Sequence, residues 1–135
     1  MTMLFRPRLT PAEIDGIMAK AHAAAAAGGF AVTICIVDEG GHLLRLDRLE
    51  DAPLISLRVA EGKARTAVEL NMSTAALEQA VAALPSMTAI AGIYPFRGGI
   101  PLRQDGYCVG AIGVSGVLPD QDEQVAQSGA SALAA

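Results

Sequence analysis

Tryptophan is absent from this 135-residue chain, and aromatic side chains together make up only 4% of it. Basic residues are also scarce: 10 lysines and arginines face 14 acids, giving a net charge of −4. No basic run is available to displace counterions from phosphates, which argues against a nucleic-acid footprint. No apolar run approaches the length of a spanning helix, so no membrane partner is expected. The first residues, Met1 to Pro7, lack the long apolar region of a secretory signal, and a cytoplasmic location is expected. Cysteine is limited to Cys35 and Cys108, each inside an apolar strand-like run where a thiol behaves as a small hydrophobe. A reduced protein without disulfides is expected, a bridge between neighbouring strands being the alternative.

What the chain has in quantity is small apolar residues. Hydrophobic residues make up 52% and charged ones 18%, and the length suits a single domain spanning residues 1–135. An alanine-rich chain with this much apolar surface often shares some of it with other copies, so a homo-oligomer is expected.

The elements follow from caps and periodicity. Thr10-Pro11-Ala12-Glu13 reads as a capping box opening a helix, continued by Ile14, Ile17, Met18 and Ala21 and stopped by Gly28-Gly29. Ala31 to Val37 is a continuous β-branched run, as in a strand covered on both faces. Asp38-Glu39-Gly40-Gly41 predicts a hairpin turn, and His42 to Arg48 a second, antiparallel strand. Helical spacing then runs from Pro53 to Leu70, and Ser73 is placed to cap a further helix from Thr74 to about Ala83. Ser86 to Gly92 reads as a linker or short strand. After a glycine-rich strand pair, Pro119 and the acids behind it open a last helix with Val125, Ala126, Gly129, Ala130 and Leu133 on one face. Hairpin strands with helices set apart imply an α+β sandwich, an antiparallel sheet flanked by helices.

The stretch from Tyr94 to Gly116 concentrates six of the fourteen glycines around two short β-type runs. Tandem glycines can aim successive N–H groups into one concavity. Gly98 to Pro101 is therefore expected to form a pocket wall, and Gly110 to Gly116 a core strand kept small so that a helix can lie against it.

The familiar reactive motifs are missing. There is no CxxC, no HExxH and no phosphate loop, and no histidine follows Ser115, as a hydrolase elbow would need. The two histidines, His22 in the first helix and His42 at the first hairpin, could each supply an imidazole to an iron porphyrin. Lys63 stands on a helix face with Ser56, Val59, Ala60 and Thr66. Its simplest reading is an amine that snorkels to solvent, and the alternative a cation recruited to a carboxylate. Arg45, Arg48, Arg97 and Arg103 are further candidate cations, most of them expected to be solvated.

Several blocks carry a resemblance. They are Ile36-Val37-Asp38-Glu39-Gly40-Gly41-His42-Leu43, Arg48 to Pro53 with Ala60 to Ala67, Gly98-Gly99-Ile100-Pro101, and Gly110 to Gly116 leading to Asp120-Gln121-Asp122-Glu123. In this order they make the chain resemble the GlcG/HbpS-like haem-binding family. The resemblance implies a profilin-like α/β sandwich that assembles into homo-oligomers and binds haem. The positions it matches are Asp38, His42, Arg48, Lys63, Thr66, Gly98, Gly99, Pro101 and Ser115.

Two functions are weighed on this basis. One is a haem-binding, haem- or iron-handling oligomer that holds the tetrapyrrole in an apolar cleft. His22 or His42 would lie at the iron, and Lys63 or an arginine, with Gly98 and Gly99, near the rest of the cofactor. The other is a small enzyme of organic-acid catabolism acting on an organic acid or carbonyl compound. Gly98 and Gly99 N–H groups would hold an anionic oxygen, Lys63 would fix a carboxylate, and Asp38, His42 or Asp105 would move a proton.

Overall fold

The structure, a computed structural model, describes residues 1–133. Helix α1 (Pro11–Gly28) opens with the expected capping box: Thr10 Oγ1 accepts from the Glu13 N–H, and Glu13 Oε1 accepts from the Thr10 N–H. Gly29 closes it in the left-handed conformation, φ 67°. Strands β1 (Thr33–Asp38) and β2 (Leu43–Arg48), helices α2 (Ile55–Leu70) and α3 (Thr74–Ala83), strands β3 (Gly99–Gln104) and β4 (Tyr107–Ser115), and helix α4 (Pro119–Ala130) follow. The four strands form one antiparallel sheet in the order β2-β1-β4-β3.

Alternation along the two central strands sorts the layers. Ile34, Ile36, Ile112 and Val114 turn to one face, where Ile17, Met18 and Ala21 of α1 and Val125 and Ala126 of α4 complete the larger core. Cys35, Val37 and Ala111 turn to the other, against Ala60, Ala64 and Ala67 of α2. Each large aliphatic side chain withdrawn from water in this way contributes roughly 1.5–3 kcal/mol. Helices thus cover both faces, which is why β1 is apolar without alternation.

Gly113 shows how closely α2 approaches. A Cβ there would run into the Ala60 carbonyl and stand 2.6 Å from the Ala64 nitrogen. The small second half of the glycine-rich stretch is therefore a core strand under a helix, as expected. Between Pro85 and Ala89 the chain forms a 3₁₀ turn rather than a linker or strand. Leu84, Met87 and Ile90 each continue the hydrogen-bonding started by α3, with Met87 donating to the Leu84 carbonyl and Ile90 to that of Met87.

Candidate functional site

Lys63 departs most from its simplest reading. It does not snorkel: its side chain is 2% exposed, and Nζ lies 2.9 Å from Asp122 Oδ2 and 2.9 Å from the Val114 carbonyl. Small residues cause this. Gly98 is at φ 130°, and a Cβ there would stand 2.8 Å from the Lys63 amine and 2.6 Å from the Val114 carbonyl. Burial lowers the Lys63 pKa and raises that of Asp122, and each shift is opposed by the other's charge.

The tandem glycines are committed to the same region. Gly99 donates its N–H to Thr74 Oγ1 at 2.8 Å, and the Gly98 carbonyl accepts from the Val114 N–H. Both are buried beneath α2 and α3. The expected pocket wall is instead a packing seam, because α2 comes too close for any side chain. Thr66 belongs to the seam as well, donating to the Gly62 carbonyl and accepting from the Tyr94 N–H. Pro101 and Ser115 are buried in the sheet.

The four candidate arginines are held within the chain. Arg45 pairs with Asp15, Arg97 with Glu123 and Asp120, Arg103 with Asn71, and Arg48 donates twice to the Ala52 carbonyl. Asp105 sits exposed in the β3–β4 turn at φ 52°.

The two histidines occupy different layers. His22 on α1 faces β2, and its Nε2 lies 2.7 Å from Asp47 Oδ2. Asp47 pairs with Ile34 and so lies on the α1 face of the sheet, opposite Lys63. Among the described residues, His22 and Lys63 are therefore separated by the sheet. His42 stands at the β1–β2 turn with 82% of its side chain exposed. Asp38 organises that turn: its Oδ1 accepts from the Gly40 and His42 N–H groups, both at 2.9 Å, and faces His42 Nδ1 at 3.3 Å. Partial burial works against the Asp38 carboxylate, but these donors outweigh it and hold its pKa below the ordinary value.

What this end of the sheet offers is an exposed imidazole whose Nδ1 lies 3.3 Å from the Asp38 carboxylate. Leu43 and Leu44 lie exposed beside it, and the stem of Arg65 packs at Gly41. Asp122 and Thr74 are the partners the sequence reading missed. Asp122 carried a signal, for it begins the i, i+3, i+4, i+7 series of Val125, Ala126 and Gly129 that faces the core.

The chain thus forms a four-stranded antiparallel sheet between helices, with a buried Lys63–Asp122 pair at its glycine seam. Residues 9–131 match the family model described as haem degrading protein HbpS-like, and the chain belongs to this family. Protein GlcG of Escherichia coli K12 is 35% identical over 108 residues, covering 75% of this chain and 76% of that protein. Among solved structures, a double mutant of Streptomyces reticuli HbpS superposes with a TM-score of 0.89 at 33% identity, covering 97% of this chain and 90% of that one. The PduOC–haem complex does so with a TM-score of 0.86 at 28% identity, covering 93% and 95%.

Proposed function

We propose that this protein binds haem, with His42 as an axial ligand. The observation that carries the assignment is the Asp38–His42 pair. A carboxylate at Nδ1 fixes the tautomer and ring orientation of a ligating histidine and leaves Nε2 for the metal. His22 has the reverse arrangement, since its Nε2 is taken by Asp47. The surroundings suit the group: Leu43 and Leu44 offer apolar surface to a flat macrocycle, and Arg65, rather than the enclosed Lys63, offers a cation to a propionate. Bound haem supplies a redox-active iron, and the chain's part is to hold and orient it. A relative of 28% identity whose structure is a haem complex supports the same reading.

The wider setting proposed is a homo-oligomer that handles haem or its iron in the cytoplasm. Exposed apolar side chains such as Leu43, Leu54 and Ile55 support association, and the free thiols of Cys35 and Cys108 suit a reducing compartment. No helix of the described residues is long and apolar enough to cross a membrane. No observation favours the organic-acid enzyme: the Gly99 N–H is bound to Thr74 and the Lys63 amine to Asp122.

Haem titration of the purified protein, followed by the Soret band, tests the proposal. The band shifts for wild type and for His22→Ala and is lost in His42→Ala. Absence of any shift with wild type at micromolar haem refutes haem binding, and an unchanged shift in His42→Ala refutes the ligand.

A further inference from the structure

Helix α3 and the 3₁₀ turn behind it are joined to the rest of the molecule by very little. Of the α3 residues only Thr74 and Leu77 are buried, and none is buried in the turn from Pro85 to Ala89. Leu77 is fully covered, yet among the described residues it belongs to neither apolar core. Between Glu78 and Arg97 the chain has no charged residue and no histidine, so no ion pair fixes this stretch. Its ends are held instead. Asn71 accepts from Arg103 Nη2 through its carbonyl at 3.0 Å and its Oδ1 at 2.8 Å, and the Tyr94 N–H donates to Thr66 Oγ1 at 3.0 Å. Just before Tyr94, Gly92 stands at φ 83° with nothing within 4 Å of an added Cβ, a position free to turn as a hinge.

What this segment covers is the open edge of the sheet. β3 is the last strand, and alternation turns the Gly98 carbonyl and the Ile100 N–H toward β4, while the N–H groups of Arg97 and Gly99 point away from it. Side chains of α3 meet both outward groups. Glu78 Oε2 accepts from the Arg97 N–H at 3.3 Å, and Thr74 Oγ1 from that of Gly99 at 2.8 Å. Thr74, Leu77 and Glu78 are spaced i, i+3, i+4, so the whole attachment is one stripe of one short helix. A helix of this length is not stable by itself, and once the stripe is released it melts.

We propose that α3 and the 3₁₀ turn form a strap that opens as one unit between the tethers at Asn71 and Tyr94, while the sheet and the other helices stay folded. Opening uncovers the outward N–H groups of Arg97 and Gly99. The strap includes neither histidine, and its motion is measured without haem. Native-state hydrogen exchange, followed amide by amide by NMR from zero to sub-denaturing urea, provides the test. Amides of α3 are expected to be at least about 100-fold less protected than those of β1 and β4, with a smaller urea dependence. Gly99 follows α3, whereas its neighbour Ile100 follows the sheet. Ile34→Val, in the larger core, speeds exchange from β1 and β4 roughly 2- to 10-fold by lowering global stability. It leaves α3 and Gly99 unchanged, because residue 34 stays packed in the opened form. One protection level and one urea slope shared by α3 and the sheet, a Gly99 amide that exchanges with Ile100, or α3 amides that respond to Ile34→Val would each overturn the proposal.

Discussion

Lys63 of α2 and Asp122 of α4 meet at 2.9 Å although their helices cover opposite faces of the sheet. The two side chains are 2% and 3% exposed, so the pair ties the outer layers together from inside. Taking one partner away leaves a buried charge without compensation, which costs about 3–5 kcal/mol. Lys63→Met and Asp122→Leu are each expected to lose that much in urea denaturation, and the double variant to lose clearly less than the sum. Additive losses would show that the two groups do not depend on each other.

Two glycines give opposite expectations for the same substitution. Gly113→Ala places a methyl group against α2 backbone that cannot yield locally, an overpacking worth roughly 1–3 kcal/mol or more. Gly16 lies inside α1, with nothing within 4 Å of an added Cβ. Gly16→Ala is therefore expected to stabilise the protein by about 0.5–1 kcal/mol. Thermal melts of the two variants should move in opposite directions, and a shared direction would contradict the packing described.

Most of the fold was legible because it is written in local signals. The Thr10–Glu13 capping box, the β-branched run of β1 and the turn at Asp38 to Gly41 each act within a few residues. The small strand around Gly113 was legible for a related reason: its lack of side chains directly records a helix lying on it. The site was harder to read. Lys63 looked like a snorkelling amine since its partner Asp122 lies 59 residues away, beyond any helix periodicity. Gly98 and Gly99 looked like an anion cradle since bare backbone reads alike whether it meets a ligand or Thr74 and Lys63. The Asp38–His42 pair was close in sequence, yet only the folded turn shows which imidazole nitrogen is left free.

The two thiols are expected to differ in reactivity. Burial, reinforced by the nearby Glu61 charge, pushes the Cys35 thiol up to about 12, and the side chain is wholly covered by α2 and the sheet. Thiolate is the reactive form, so Cys35 should resist a disulfide reagent at mildly alkaline pH until the protein unfolds. Cys108 is half-buried on β4. Native protein should titrate with at most one thiol per chain and denatured protein with two. Labelling of Cys35 in the folded state would mean that α2 lifts off the sheet.

Asp38 links stability to pH with a definite sign. Its folded pKa is depressed, so the ionised carboxylate stabilises the turn above the unfolded value near 3.8, and this contribution is lost as pH falls through the folded value. Asp38→Asn keeps an oxygen acceptor for the Gly40 and His42 N–H groups but removes the charge, an expected loss of about 1 kcal/mol near neutral pH. The gap between variant and wild type should stay constant down to about pH 5 and close as pH falls from about 3.8 through the lower folded value. A gap that persists in acid would assign the loss to altered turn geometry rather than to charge. The same change weakens the support behind His42 Nδ1, and on the haem assignment it lowers haem affinity about 10-fold while leaving His42 in place.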